Sequence, residues 1–183
     1  MKKIILLIAF LAAACQSTPK KDAVPLPVEI QTASDGEQYI EGPINKQNLL
    51  TSPLSTWFEE EYNKFYVNPQ WVADHQGLLE GVHLKLFLGT WCEDSEREVP
   101  GMFKLLDALG MEEDQIEVYA MNKDKITTAN YEKNLDIFNI PTLIVYKNDK
   151  EMNRFVELSV VSLADDLSKI LKGQPYEHAY YGF

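Results

Sequence analysis

Cys92 is the residue best placed to do chemistry in this chain. It stands between an apolar run, Leu84-Lys85-Leu86-Phe87-Leu88, and a polar segment, Glu93-Asp94-Ser95-Glu96-Arg97-Glu98, with the spacing of a helix start. Unpaired N–H groups in a helix's first turn, together with the helix dipole, stabilise negative charge, so a thiol at that position is eased toward the nucleophilic thiolate. Ser95 follows one turn later, where its hydroxyl either bonds the sulfur or accepts a first-turn N–H that would otherwise go unpaired. Nearby charge works in the opposite sense. Glu93, Asp94 and Glu96 crowd the same turn, and like charge disfavours a thiolate. Arg97 is the one neighbouring cation in sequence. The helix terminus is expected to win modestly.

The surrounding pattern supplies elements that would hold this site. Residues 82–88 read as a buried strand, 95–109 as a long helix, 116–121 as a second central strand and 127–138 as a helix. Residues 141–146 and 152–156 read as strands joined at Asn148-Asp149, and 162–171 as a terminal helix. Upstream, alternation on both sides of Ser34-Asp35-Gly36 predicts a small hairpin. A helix over 55–66 carries a capping-box pair at Thr56 and Glu59 and places Phe58, Tyr62 and Phe65 on one face. Asn68-Pro69 ends it, and 70–79 reads as a further helix. The tail, with Tyr176, His178, Tyr180, Tyr181 and Phe183, is expected to cap the domain.

Trp91-Cys92-x-x-Ser95 with Pro100 downstream resembles the Trp-Cys-x-x-Cys segment and helix proline of the thioredoxin family, with serine in place of the second cysteine. A second anchor is Ile140-Pro141-Thr142 followed by an apolar strand; in the family that proline is cis and lies beside the active-site cysteine. The resemblance implies an α/β thioredoxin-like fold: a central mixed sheet flanked by helices, here with an N-terminal helical extension. It implies catalytic roles for Cys92, Ser95, Trp91 and Pro141, and a substrate groove at Ile140 and Thr142. It spans about residues 82–171 and looks closest to thioredoxin-like envelope lipoproteins bearing Trp-Cys-x-Asp-Ser. Leu86 stands where the family has a buried acid, six residues before its first cysteine.

The serine changes the expected reaction. With one thiol, a mixed disulfide cannot be resolved within the chain, so an external thiol must release it. Disulfide shuffling or removal of small-thiol adducts fits such a site, and net dithiol reduction does not. The competing class is a non-catalytic module that holds an extended peptide beside Pro141. His75, His83 and His178 show no metal-ligand spacing, so neither a metal nor another cofactor is expected. A papain-like Cys-His pair has no histidine within the matched region, and the copper-binding relatives need a second cysteine.

Met1-Lys2-Lys3 followed by an apolar stretch reads as a signal peptide over residues 1–14. That stretch is far short of the roughly 20 residues of a spanning helix. Cys15, after three alanines, resembles a bacterial lipobox cysteine, although Ala12 stands where that motif has leucine; an ordinary secretory signal is the alternative. Residues 15–44 are then a lipidated start, tether and hairpin, and 45–183 the domain. This places the chain in a bacterial envelope, lipid-anchored to a membrane. The expected partners are envelope proteins with disulfides or oxidised cysteines, and an external thiol reductant. With 17 Lys+Arg against 28 Asp+Glu the net charge is −11, which disfavours nucleic acid. Once Cys15 is modified, no internal structural disulfide is available among the 2 cysteines.

Overall fold

The structure is a computed structural model that describes residues 24–182; the signal peptide and the lipidation of Cys15 fall outside the described residues. A hairpin of β1 (Ile30–Thr32) and β2 (Gln38–Ile40) precedes β3 (Gly42–Ile44). Three short helices follow, α1 (Lys46–Thr51), α2 (Trp57–Lys64) and α3 (Pro69–His75). Then come β4 (Val82–Leu88), α4 (Glu93–Ala108), β5 (Ile116–Ala120), β6 (Thr142–Lys147), β7 (Lys150–Val156) and α5 (Leu163–Leu171). The central sheet has the order β3-β5-β4-β6-β7. β4 runs parallel to β5 and antiparallel to β6, so the sheet is mixed and flanked by helices, as the sequence predicts.

Alternation along the strands splits the interior into two unequal cores. Leu84, Leu86 and Leu88 of β4 join Val118, Leu143 and Phe155 against Phe58 of α2, Phe103 and Leu106 of α4, and Leu167 and Ile170 of α5. Phe58 packs edge-on to Phe103 with ring centroids 5.6 Å apart. Each such fully buried side chain contributes about 1.5–3 kcal/mol of hydrophobic stabilisation. The opposite face holds a smaller cluster, Phe87, Tyr119, Met121, Ile140 and Ile144, covered by Leu135 and Ile137. Gly101 lets α4 approach its neighbours, because a Cβ there would stand 2.6 Å from the Phe65 ring and 2.8 Å from Leu163.

The structure corrects several local expectations. Residues 127–138 form consecutive turns and no helix, with Asn130, Asn134 and Asp136 at φ 57°, 63° and 53°. Asn and Asp tolerate this left-handed region, and their side chains compete with helical bonding. The Thr56–Glu59 capping box is absent. Thr56 is itself helical and makes no side-chain cap bond, because a 3-10 turn at Pro53–Ser55, capped by Ser52, runs directly into α2. The helix at Pro69–His75 stops short of residue 79, and Gly77 turns the chain at φ 76°. The sheet also reaches into residues assigned to the tether: Gly42 pairs with Ala120 and Ile44 with Val118.

Candidate thiol site

The C-terminal end of β4 and the start of α4 form one edge of the site. Cys92 is the N-cap of α4, with φ −100° and ψ 117°, and is partly buried; its carbonyl accepts the Glu96 N–H at 3.0 Å. Its side chain faces the loop that enters β6, and Sγ donates to the Ile140 carbonyl at 3.6 Å. The Ile140–Pro141 peptide is cis, as expected from sequence. Ile140 and Thr142 are 1% exposed, so their side chains line no groove; Thr142 is anchored by Oγ1 donating to the Asn139 carbonyl at 2.6 Å. What this loop presents to the sulfur is backbone.

Trp91 and Ser95 take structural positions around the thiol. The Trp91 indole Nε1 donates to the Met121 carbonyl at 2.9 Å, which ties the site to the end of β5. Ser95 is completely buried and bonds neither the sulfur nor a first-turn N–H. Its Oγ accepts the Gly89 N–H at 3.1 Å and so locks the strand-to-helix bend. Gly89 itself escaped the sequence reading. A Cβ there would lie 2.9 Å from the Trp91 ring and 3.0 Å from Ile140 Cδ1, so only glycine lets those two side chains meet beside the thiol. Leu86 is fully buried in the main core, and the position offers no proton acceptor.

Two carboxyl groups, one in the first turn of α4 and one just past β7, are shifted upward. Burial, then the charges of Glu93 and Glu61, push the Glu96 carboxyl above its usual range. Glu157, just past β7, is likewise raised by burial and then by Asp94. Arg97 does not serve the sulfur: it donates to Asp94 at 2.6 Å and to Glu98 at 3.0 Å, and these partners hold its pKa up. Glu98 is 7% exposed and also accepts the Ser159 hydroxyl at 3.2 Å. Leu158, Val160 and Val161, which follow Glu157, are 38%, 51% and 67% exposed and form an apolar rim.

His178 stands in the tail with its ring 6.1 Å from Phe138, and the other two histidines lie elsewhere. His75 is buried between the Trp71 carbonyl at 2.5 Å and Ser168 Oγ at 2.6 Å, a packing role. His83 meets Glu117 at 2.6 Å at the far end of β4. Among the described residues no three His, Cys, Asp or Glu side chains converge as a metal-holding group. A polar cleft of about 550 Å³ opens away from Cys92, between the hairpin and residues 128–131, and includes Glu29, Tyr39, Glu41 and Tyr131.

No family model and no curated protein matches the chain. Among solved structures, it is similar to a Pseudomonas aeruginosa protein of unknown function, 14% identical over 70% of this chain and 82% of that one, TM-score 0.49. It is also similar to an HIV epitope scaffold, 16% identical over the same shares, TM-score 0.44.

Proposed function

We propose that the protein is a thioredoxin-like envelope lipoprotein that performs monothiol thiol–disulfide exchange through Cys92. The observation that carries this reading is the meeting of Cys92 Sγ, at the N-terminus of α4, with the Ile140 carbonyl of a cis-proline loop, 3.6 Å away. The backbone adjoining the sulfur offers hydrogen-bonding groups to an extended substrate. Cys92 thiolate attacks one sulfur of a substrate disulfide, forming a mixed disulfide and expelling the other substrate sulfur as thiolate. A small external thiolate, or a second thiol of the substrate, then attacks the substrate sulfur of that mixed disulfide and releases Cys92 as thiolate. Ser95 contributes no second sulfur, so the sequence stops there without an outside thiol. Glu93, Asp94 and Glu96 in the first turn of α4 disfavour anionic partners and suit substrates with basic residues near the reacting sulfur.

The signal peptide and lipidated Cys15 belong to this proposal, and place the domain on an envelope membrane among disulfide-bearing proteins. Trapping tests the whole: the wild-type chain should capture specific envelope proteins as mixed disulfides that a small thiol dissolves, and Cys92→Ala should capture none. Ser95→Cys should add a resolving thiol and switch on weak dithiol reduction, since Leu86 supplies no proton relay. Equal capture by wild type and Cys92→Ala would remove thiol chemistry from the function. A second reading, peptide holding without exchange, is favoured by the apolar rim of Leu158, Val160 and Val161. It predicts binding of reduced, cysteine-free extended peptides that survives Cys92→Ala.

A further inference from the structure

The loop that meets the thiol is held from three directions by residues distant in sequence. From one side, Lys125 Nζ donates to the Phe138 carbonyl at 3.0 Å and to Asn139 Oδ1 at 2.7 Å. From β7, Glu157 N–H donates to the Pro141 carbonyl at 2.7 Å, and Glu157 Oε2 accepts Asn139 Nδ2 at 3.0 Å. From the tail, the Tyr180 hydroxyl donates to that same Oε2, while its ring stands edge-on to Phe138 at 6.1 Å. Glu157 makes these contacts at φ 63°, a left-handed conformation that costs a glutamate energy and persists where surrounding structure over-determines it.

We propose that Glu157 and Tyr180 are positioning residues for the thiol site, holding the Asn139–Ile140–Pro141 backbone against Cys92 so that the C-terminal tail acts as a strap on the exchange centre. Its catalytic meaning rests on the thiol-exchange reading; its structural content does not. The groups facing Glu157 are Tyr180 and Asn139 by hydrogen bond, and Asp94, Lys125 and Arg97 by charge. Burial and Asp94 raise the Glu157 carboxyl, while Lys125 and Arg97 act against them. Both side-chain bonds end on one oxygen. A glutamine at 157 therefore keeps the acceptor and an alanine removes it.

The test uses Tyr180→Phe, Glu157→Ala and Glu157→Gln in the full chain. Hydrogen exchange of segment 138–142 is measured beside that of α5 as an internal control. Two rates at Cys92 are then compared: alkylation by iodoacetamide, and attack on a basic peptide carrying an aryl mixed disulfide, a probe that any free thiol attacks. Tyr180→Phe and Glu157→Ala should speed exchange in 138–142 by about tenfold, the scale of one lost bond to a charged group, with α5 unchanged. They should lower the ratio of peptide-disulfide attack to alkylation by about tenfold, because only the former needs the loop in register. Glu157→Gln should behave like wild type in both. Unchanged exchange in 138–142, an equal rise in α5, an unchanged rate ratio, or a Glu157→Gln variant as loose as Glu157→Ala would each overturn the proposal. Failure of the thiol-exchange reading shows differently: wild-type Cys92 would attack the peptide disulfide no faster than free cysteine, while the hydrogen-exchange comparison still decides the strap.

Discussion

The two ends of β4 are neutralised to different degrees. At its start, His83 and Lys85 close on Glu117 at 2.6 and 3.3 Å, and the Tyr119 hydroxyl donates to the same carboxylate. Burial raises the Glu117 carboxyl, yet these donors outweigh it and hold the group below its usual range. At the other end, beyond Leu88, Glu96 and Glu157 are both raised, and Arg97 is paired with Asp94 and Glu98. One sheet thus carries an end arranged for stability and an end that gives stability up. The second is where Cys92 meets the loop that enters β6.

The sharpest way to separate the ends is Cys92→Ala, which should abolish disulfide exchange entirely while moving Tm by the equivalent of less than about 1 kcal/mol, measured by thermal unfolding. Next in size is Gly89→Ala. Forcing a methyl between Trp91 and Ile140 should cost about 1–3 kcal/mol and slow exchange in proportion to Trp91's displacement, read by denaturant unfolding and by Cys92 kinetics. At the opposite end Gly81, at φ 69°, has open space around a Cβ; Gly81→Ala should cost about 1 kcal/mol in backbone strain and leave exchange rates alone.

The smallest effect has opposite signs at the two ends. Glu117's depressed pKa contributes stability above its unfolded value of 4.5 that is lost as pH falls through the folded value. Glu117→Gln should therefore destabilise at pH 7, by about 0.5 kcal/mol once exposure is discounted. Glu96 is raised above 4.5, so its contribution is complete below that value and lost as pH rises through the folded value. Glu96→Gln should stabilise at pH 7 by a few tenths of a kcal/mol, roughly. Unfolding free energies of both variants at pH 4 and pH 7 check the pair; shifts of the same sign at pH 7 would erase the electrostatic contrast.

Local pattern made the strand, thiol and long helix legible, because 84–100 switches abruptly from apolar to a charged helical period. The proline loop was legible through its motif. The turns of 127–138 were hidden because Tyr131, Leu135 and Phe138 mimic helical spacing, while the decisive signal lay in Asn130, Asn134 and Asp136. β3 was hidden for a different reason. Gly42 and Pro43 are poor strand residues, tolerated because β3, among the described residues, is an edge strand paired with β5. Ser95's bond to Gly89, and the junction of Glu157 with Tyr180, follow from chain crossings that no local pattern encodes.

The pairing of β3 with β5 also sets an order of events during folding. Gly42 and Ile44 wait for partners at Ala120 and Val118, so the N-terminal edge of the sheet cannot form until β5 exists. In a chain that emerges from its N-terminus, β3 stays unpaired until β5 has emerged, while the β1–β2 hairpin before it can close on itself. Closure of that long loop costs more chain entropy than the local β6–β7 hairpin, which needs no distant partner. A chain interrupted before Ile116 would carry β3 without the partner that seats it in the central sheet.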